Sequence, residues 1–162
     1  MIDLKHISKF RTALLLALLM VVAVAFFDIK SAQSGVFGSF ESYTTGNYTS
    51  GWWGLFYLGV MFVFAIIPLS YYFFYKKDKT DAIAIFLTSY VMWMFGLADA
   101  LYFWLQAVKI PSELPWLVNN TAIMKVSSLL GLSTVTNLSL IVSILIGGLI
   151  VFFSTKYLHK IN

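Results

Sequence analysis

The chain contains no cysteine. That excludes disulfides, thiolate metal sites, cysteine nucleophiles and dithiol chemistry, and it fits either side of a membrane. There are two histidines, His6 and His159, both near the ends of the sequence, and three prolines. Charged residues make up 11% of the chain, where a soluble domain carries about 25%. A chain of 162 residues with so few charges does not cover a water-facing surface. What stands in their place is apolar: 60% of residues are hydrophobic, 18% are aromatic, and the mean hydropathy is +0.85.

A backbone that crosses lipid must satisfy its own polar groups, which leaves helices and closed barrels. Barrel strands show segments of about ten residues with alternating polarity. The apolar runs here are continuous and roughly twenty residues long, the length a membrane-spanning helix needs. The sequence therefore predicts an all-α integral membrane protein: a four-transmembrane-helix bundle forming a single domain over 1–162, with spans at about 12–29, 51–75, 81–108 and 136–157. The net charge of +4 and pI of 9.3 do not point to a nucleic-acid partner, because the basic residues flank the apolar runs, where they orient the chain.

Eight of the eleven Lys and Arg residues fall on one side of this arrangement: Lys5, Lys9 and Arg11, then Lys76, Lys77 and Lys79, then Lys156 and Lys160. Lys30, Lys109 and Lys125 fall on the other. The positive-inside rule places both termini and the 76–80 turn in the cytoplasm of a cell membrane, and the loops 30–50 and 109–135 outside. In the second span, Trp52, Trp53, Phe56 and Tyr57 mark one end and Tyr71, Tyr72 and Tyr75 the other. Trp53 to Tyr71 is about 27 Å at 1.5 Å per residue, close to the ~30 Å hydrocarbon core. Pro68, near the inner belt, is expected to bend this helix. The first span has a basic start and an Ala23-Val-Ala25 motif like a signal peptide's cleavage site; the expectation is a retained anchor that forms the first span.

In the second outer loop, Pro111-Ser-Glu-Leu-Pro115-Trp116 reads as a rigid turn at the interface. Asn120 or Thr121 then caps a short interfacial helix running to Leu130 and ended by Gly131. Ile123, Val126, Leu129 and Leu130 form its apolar face, with Lys125 and Ser128 opposite. Asn47, Asn119 and Asn137 head glycosylation tripeptides, of which the third lies too close to a span to be a good acceptor. In the fourth span, Ser139, Ser143 and Gly147 recur every four residues, a spacing that lets another helix approach closely.

Asp99 is the one carboxylate in the middle of an apolar run, Val91-Met-Trp-Met-Phe-Gly-Leu-Ala-Asp-Ala-Leu-Tyr-Phe-Trp-Leu-Gln106. At a helix centre in lipid it costs roughly 2.5–3.5 kcal/mol. Helical spacing puts Ser89, Gly96, Asp99, Tyr102 and Gln106 on one polar or small stripe facing the bundle interior. Tyr102, Gln106 and, from the second span, Trp53 and Tyr57 are the candidate contacts of the carboxyl group. No Lys, Arg or His lies at its depth in any span, so a neutral hydrogen-bonded acid, water, or a cation from another molecule must accommodate it. Asp28, Glu41 and Glu113 are the only other outer carboxylates, and with no outer His or Cys a zinc, copper or haem site made by this chain alone is not expected. No cofactor is expected.

Three functions follow in descending order. The first is a structural or accessory subunit of a larger membrane complex, with membrane lipids and other membrane protein subunits as partners. The second is an outer-leaflet lipid or small-molecule binding protein, or an intramembrane enzyme, that uses Asp99. The third is a proton- or ion-coupled transporter acting as an oligomer, which the lack of paired broken helices or an inverted repeat places last.

Overall fold

The computed structural model describes the backbone of residues 4–34, 50–76 and 79–161, and the side chains of 11–30, 58–74, 79–158 and 160. Among these residues the chain is helical, with no strand; an isolated bridge pairs Glu113 with Thr136. Helix α1 runs Leu4–Ser34 and α2 runs Ser50–Ser70, continuing as a π-helical turn over Tyr71–Lys76. Pro68 is inside α2, three residues before that turn. Proline removes one donor from the helical ladder, in the turn that precedes it, and the looser π register lies on its C-terminal side. Helices α3 (Lys79–Met94) and α4 (Leu97–Leu105) come next, then a 3₁₀ turn at Pro115–Leu117, α5 (Thr121–Leu129) and α6 (Asn137–Ile161).

Among the described residues two helices are long and apolar enough to cross a membrane, Arg11–Lys30 and Asn137–Leu158. The α3–α4 pair makes a third only if it is counted as one span, because it bends by 70° at its break. The apolar part of α2 among the described side chains, Leu58–Phe74, is shorter. The continuous third span expected over 81–108 is thus corrected: it is two helices, and the second stops at Leu105. Four complete spans are not established by helix length; two, or three with the bent pair, are.

Helix α1 packs against α3 and α4 through a face built at helical spacing, Ala13, Ala17, Met20, Val21, Val24 and Ala25, all buried. Three alanines on that face let the backbones approach closely. Leu15, Leu19, Phe26 and Phe27 point away and are exposed. One apolar cluster joins this face to Val60 and Phe64 of α2 and to Ile85 and Trp93 of α3. The Phe64 and Trp93 rings meet edge to face, centroids 5.8 Å apart. A second cluster lies where α1 ends and α6 begins: Ile29, Tyr102, Phe103, Leu114, Leu117, Ile123, Val135 and Leu140. The start of α6 and the end of α1 therefore share one cluster, and the two helices run antiparallel, each packed against α3.

The break between α3 and α4 has a local cause. Gly96 sits at φ 88°, a left-handed conformation that only glycine adopts without penalty. Its amide turns to the Trp93 carbonyl at 3.0 Å instead of continuing the helical register. A Cβ at Gly96 would collide with the side chains of Leu140 and Ile123. One residue earlier, Phe95 presses its Cβ to within 2.8 Å of where a Cβ on Gly147 would stand. The break is wedged into α6 at two glycines, one on each helix.

Candidate functional site

At the end of the bundle where α1 stops, the break, the 3₁₀ turn and α5 form one hydrogen-bonded unit. Asn120 is its centre. Its side-chain oxygen accepts from the amides of Ala122 and Ile123 at 3.1 and 3.2 Å, capping α5. Its amide nitrogen donates to the Met94 carbonyl at 3.0 Å. In an unbroken helix that carbonyl would bond the amide four residues on; the break frees it, and a free buried carbonyl costs about 1–3 kcal/mol. One side chain therefore closes a helix start and a helix end together.

The rest of the loop is equally constrained. The α5 C-terminus is a Schellman closure: Leu132 donates to Ser127 at 2.9 Å and Gly131, at φ 75°, donates to Ser128 at 3.0 Å. Leu114 donates to the Val135 carbonyl at 2.8 Å, and Asn137 to Ser112 at 3.2 Å. The buried face of α5 is Ile123, Val126 and Ser127; Leu129 and Leu130 are exposed, at 80% and 43%. The expected apolar face is thus only partly turned to the bundle: at 3.6 residues per turn Leu129 stands about 120° around the helix from Ile123, and Leu130 is the C-cap past its end.

Asp99 stands in the first turn of α4, not midway along an unbroken span. A carboxylate in a first turn meets the positive end of the helix dipole and unpaired amides, and Asp99 receives its own backbone N–H. The Trp116 indole donates to its carboxyl group from the 3₁₀ turn, and Asp28, from the end of α1, lies within electrostatic reach. Asp28 also reaches Tyr102. Asp99, Asp28 and Trp116 are all half-buried, and Tyr102 is buried. Trp116 is held by Phe103, ring centroids 6.0 Å apart. Gln106 folds back to donate to the Tyr102 carbonyl at 3.3 Å.

The expected stripe is thus divided. Asp99, Tyr102 and Gln106 share α4 with Trp116 and Asp28 around them. Gly96 is the pivot beneath, packed on Leu140 and Ile123. Ser89 lies on α3, across the 70° bend, where its hydroxyl donates to the Ile85 carbonyl at 2.7 Å and meets the Met20 sulfur at 3.5 Å. The side chains of Trp53 and Tyr57 lie outside the described residues. On α6, Ser139, Ser143 and Gly147 all face inward, and each does something different. Ser139 and Thr136 form a reciprocal cap: the Thr136 amide donates to Ser139 Oγ at 2.9 Å, and the Ser139 amide to Thr136 Oγ1 at 3.3 Å. Gly147 receives Phe95. Ser143 Oγ is buried with no hydrogen-bond partner among the described residues.

Three residues acquire a place that their sequence context does not single out. Asn120 seals the break as well as capping α5. Asp28, in the sequence only one of the few outer carboxylates, joins the Asp99 cluster. Asp81, in the first turn of α3, is buried to 1% exposure and accepts from the Tyr71 hydroxyl at 3.4 Å. The only signal for Asp81 is its place as an acid at a helix start beside a tyrosine-rich turn. Among the described residues no group of three or more His, Asp or Glu side chains is gathered closely enough to hold a metal.

The end of the bundle is a rigid, acid-bearing platform of α4, the 3₁₀ turn and α5. Comparison with known protein families, with curated proteins and with solved structures finds no match to this chain.

Proposed function

We propose that this chain is a small polytopic membrane protein, a four-span bundle with both termini in the cytoplasm, that serves as a structural or accessory subunit of a larger membrane assembly. The fourth span is α2, whose 21 α-helical residues continue into six π-helical ones. The two aromatic belts along it support a crossing. The Lys and Arg distribution supports the orientation, which puts the Asp99 platform at the outer surface.

The observation that carries the reading is the platform. It is locked by Asn120, the α5 closure and the pairing of Leu114 with Val135, yet it exposes Trp104, Val118 and Leu129. Large apolar side chains displayed on a stiff surface at headgroup level and above are what a protein partner buries. Native purification in mild detergent tests this. A stable hetero-oligomer that Leu129→Glu or Trp104→Glu disperses supports the subunit role. A monodisperse 18.3 kDa monomer recovered from native membranes contradicts it.

A second reading is favoured by Asp28 and Asp99. Two carboxyls within electrostatic reach of each other, beside Trp116 and Tyr102, suit the cationic group of a small outer-leaflet ligand. Retention of a choline- or ammonium-bearing lipid that Asp99→Asn abolishes supports that reading; unchanged retention removes it.

A further inference from the structure

A cavity of about 370 Å³ opens between α1 and α6 over α3, with Leu97 of α4 among its lining residues. Its walls are Leu14 and Leu18 of α1 and Gly148 and Phe152 of α6; Thr88 and Met92 of α3 form its floor. It exists because α1 and α6 both pack against α3 and because Gly148 has no side chain: a Cβ there would meet nothing within 4 Å. Leu14, Leu18 and Phe152 are partly exposed at its rim, so it is a cleft open on the flank of the bundle. A cavity of this size holds a small ligand, and its almost wholly apolar lining suits hydrocarbon.

The cleft is closest to one end. Arg11 lies three residues before Leu14 on α1, and Lys156 four residues after Phe152 on α6, each one helical turn beyond the wall. Because α1 and α6 run antiparallel, both cations stand at the same end of the cleft, and both are exposed. No acidic side chain lines it. An apolar slot with two cations at its mouth is complementary to an amphiphile with an anionic head.

We infer that the α1–α3–α6 cleft binds one acyl chain of an anionic phospholipid, with Arg11 and Lys156 on its phosphate. Its cation-bearing mouth stands far along α1 from Asp28, while Leu97 at the start of α4 also lines the cleft. The site does not depend on the subunit role, and neither test bears on the other.

The test uses the full chain in nanodiscs of phosphatidylcholine doped with phosphatidylglycerol, followed by native mass spectrometry of the released protein. The wild-type protein is expected to retain one phosphatidylglycerol in preference to phosphatidylcholine. Arg11→Gln with Lys156→Gln should cut that preference by about fivefold per cation removed, the value of a basic side chain near an anionic surface. Gly148→Leu fills the cleft from a position with free space and should abolish retention of either lipid, while its thermal midpoint shows that the bundle is folded. Equal retention of both lipids by the wild-type protein overturns the proposal, as does phosphatidylglycerol preference that survives the double substitution. Retention undiminished in folded Gly148→Leu places the lipid elsewhere and also overturns it.

Discussion

The Asn120 side chain donates to the Met94 carbonyl at 3.0 Å while its oxygen caps α5. The two functions separate by substitution. Asn120→Asp keeps the capping oxygen and loses the donor. Asn120→Ala loses both, adding the ~1 kcal/mol typical of a lost cap to the ~1–3 kcal/mol of an unmet carbonyl. Thermal unfolding in one fixed detergent should rank wild type above Asn120→Asp above Asn120→Ala. Asn120→Asp equal to wild type would show that the Met94 contact contributes nothing.

Three glycines should respond to alanine in a set order. Gly148→Ala meets open space and gains up to ~1 kcal/mol of helix propensity. Gly147→Ala drives a methyl into Phe95, an overpacking of about 1–3 kcal/mol. Gly96→Ala adds the left-handed penalty of about 1–2 kcal/mol to a clash with Leu140 and Ile123, and should be the worst of the three. Melting midpoints check the order; adjacent Gly147 and Gly148 behaving alike would contradict the wedge.

The small residues of α6 should not behave as a uniform stripe. Ser139→Ala removes one half of the Thr136 cap and should cost about 1 kcal/mol. Ser143→Ala deletes a buried hydroxyl that has no partner among the described residues, and should be neutral or stabilising by up to ~1 kcal/mol. Denaturant midpoints of the two single variants decide it. Equal losses at both sites would return the stripe to generic packing.

Helix α4 is closed by Ala107, two residues past Leu105, at φ 54°. Its amide donates to Trp104 and that of Val108 to Phe103, both at 3.0 Å. This is the closure that glycine normally makes. Ala107→Gly should therefore stabilise the protein by about 1 kcal/mol, in contrast to glycine substitutions elsewhere in the helices. A lower melting point for Ala107→Gly would refute the assignment.

Much of this was legible in the sequence. Apolar runs mark where most of the helices lie, Asn120 and Gly131 mark the limits of α5, and the Ser139–Gly147 spacing marks three residues that are buried. The 70° break was not legible, because Gly96 in an apolar run reads as a tolerated small residue. Its meaning depends on Phe95 finding Gly147 and on Asn120 finding Met94, pairings at long sequence range that periodicity does not encode. Asp99 was misplaced for the same reason: a carboxylate deep in a straight helix is costly, whereas one in the first turn after a break faces helix amides.

Asn120 follows Met94 by 26 residues. The ribosome therefore delivers the third helical segment well before the side chain that seals its interruption. Until then the Met94 carbonyl has only water or the next turn of its own helix as a partner. The bend that Gly96 makes locally is thus sealed by a residue made 26 positions after Met94.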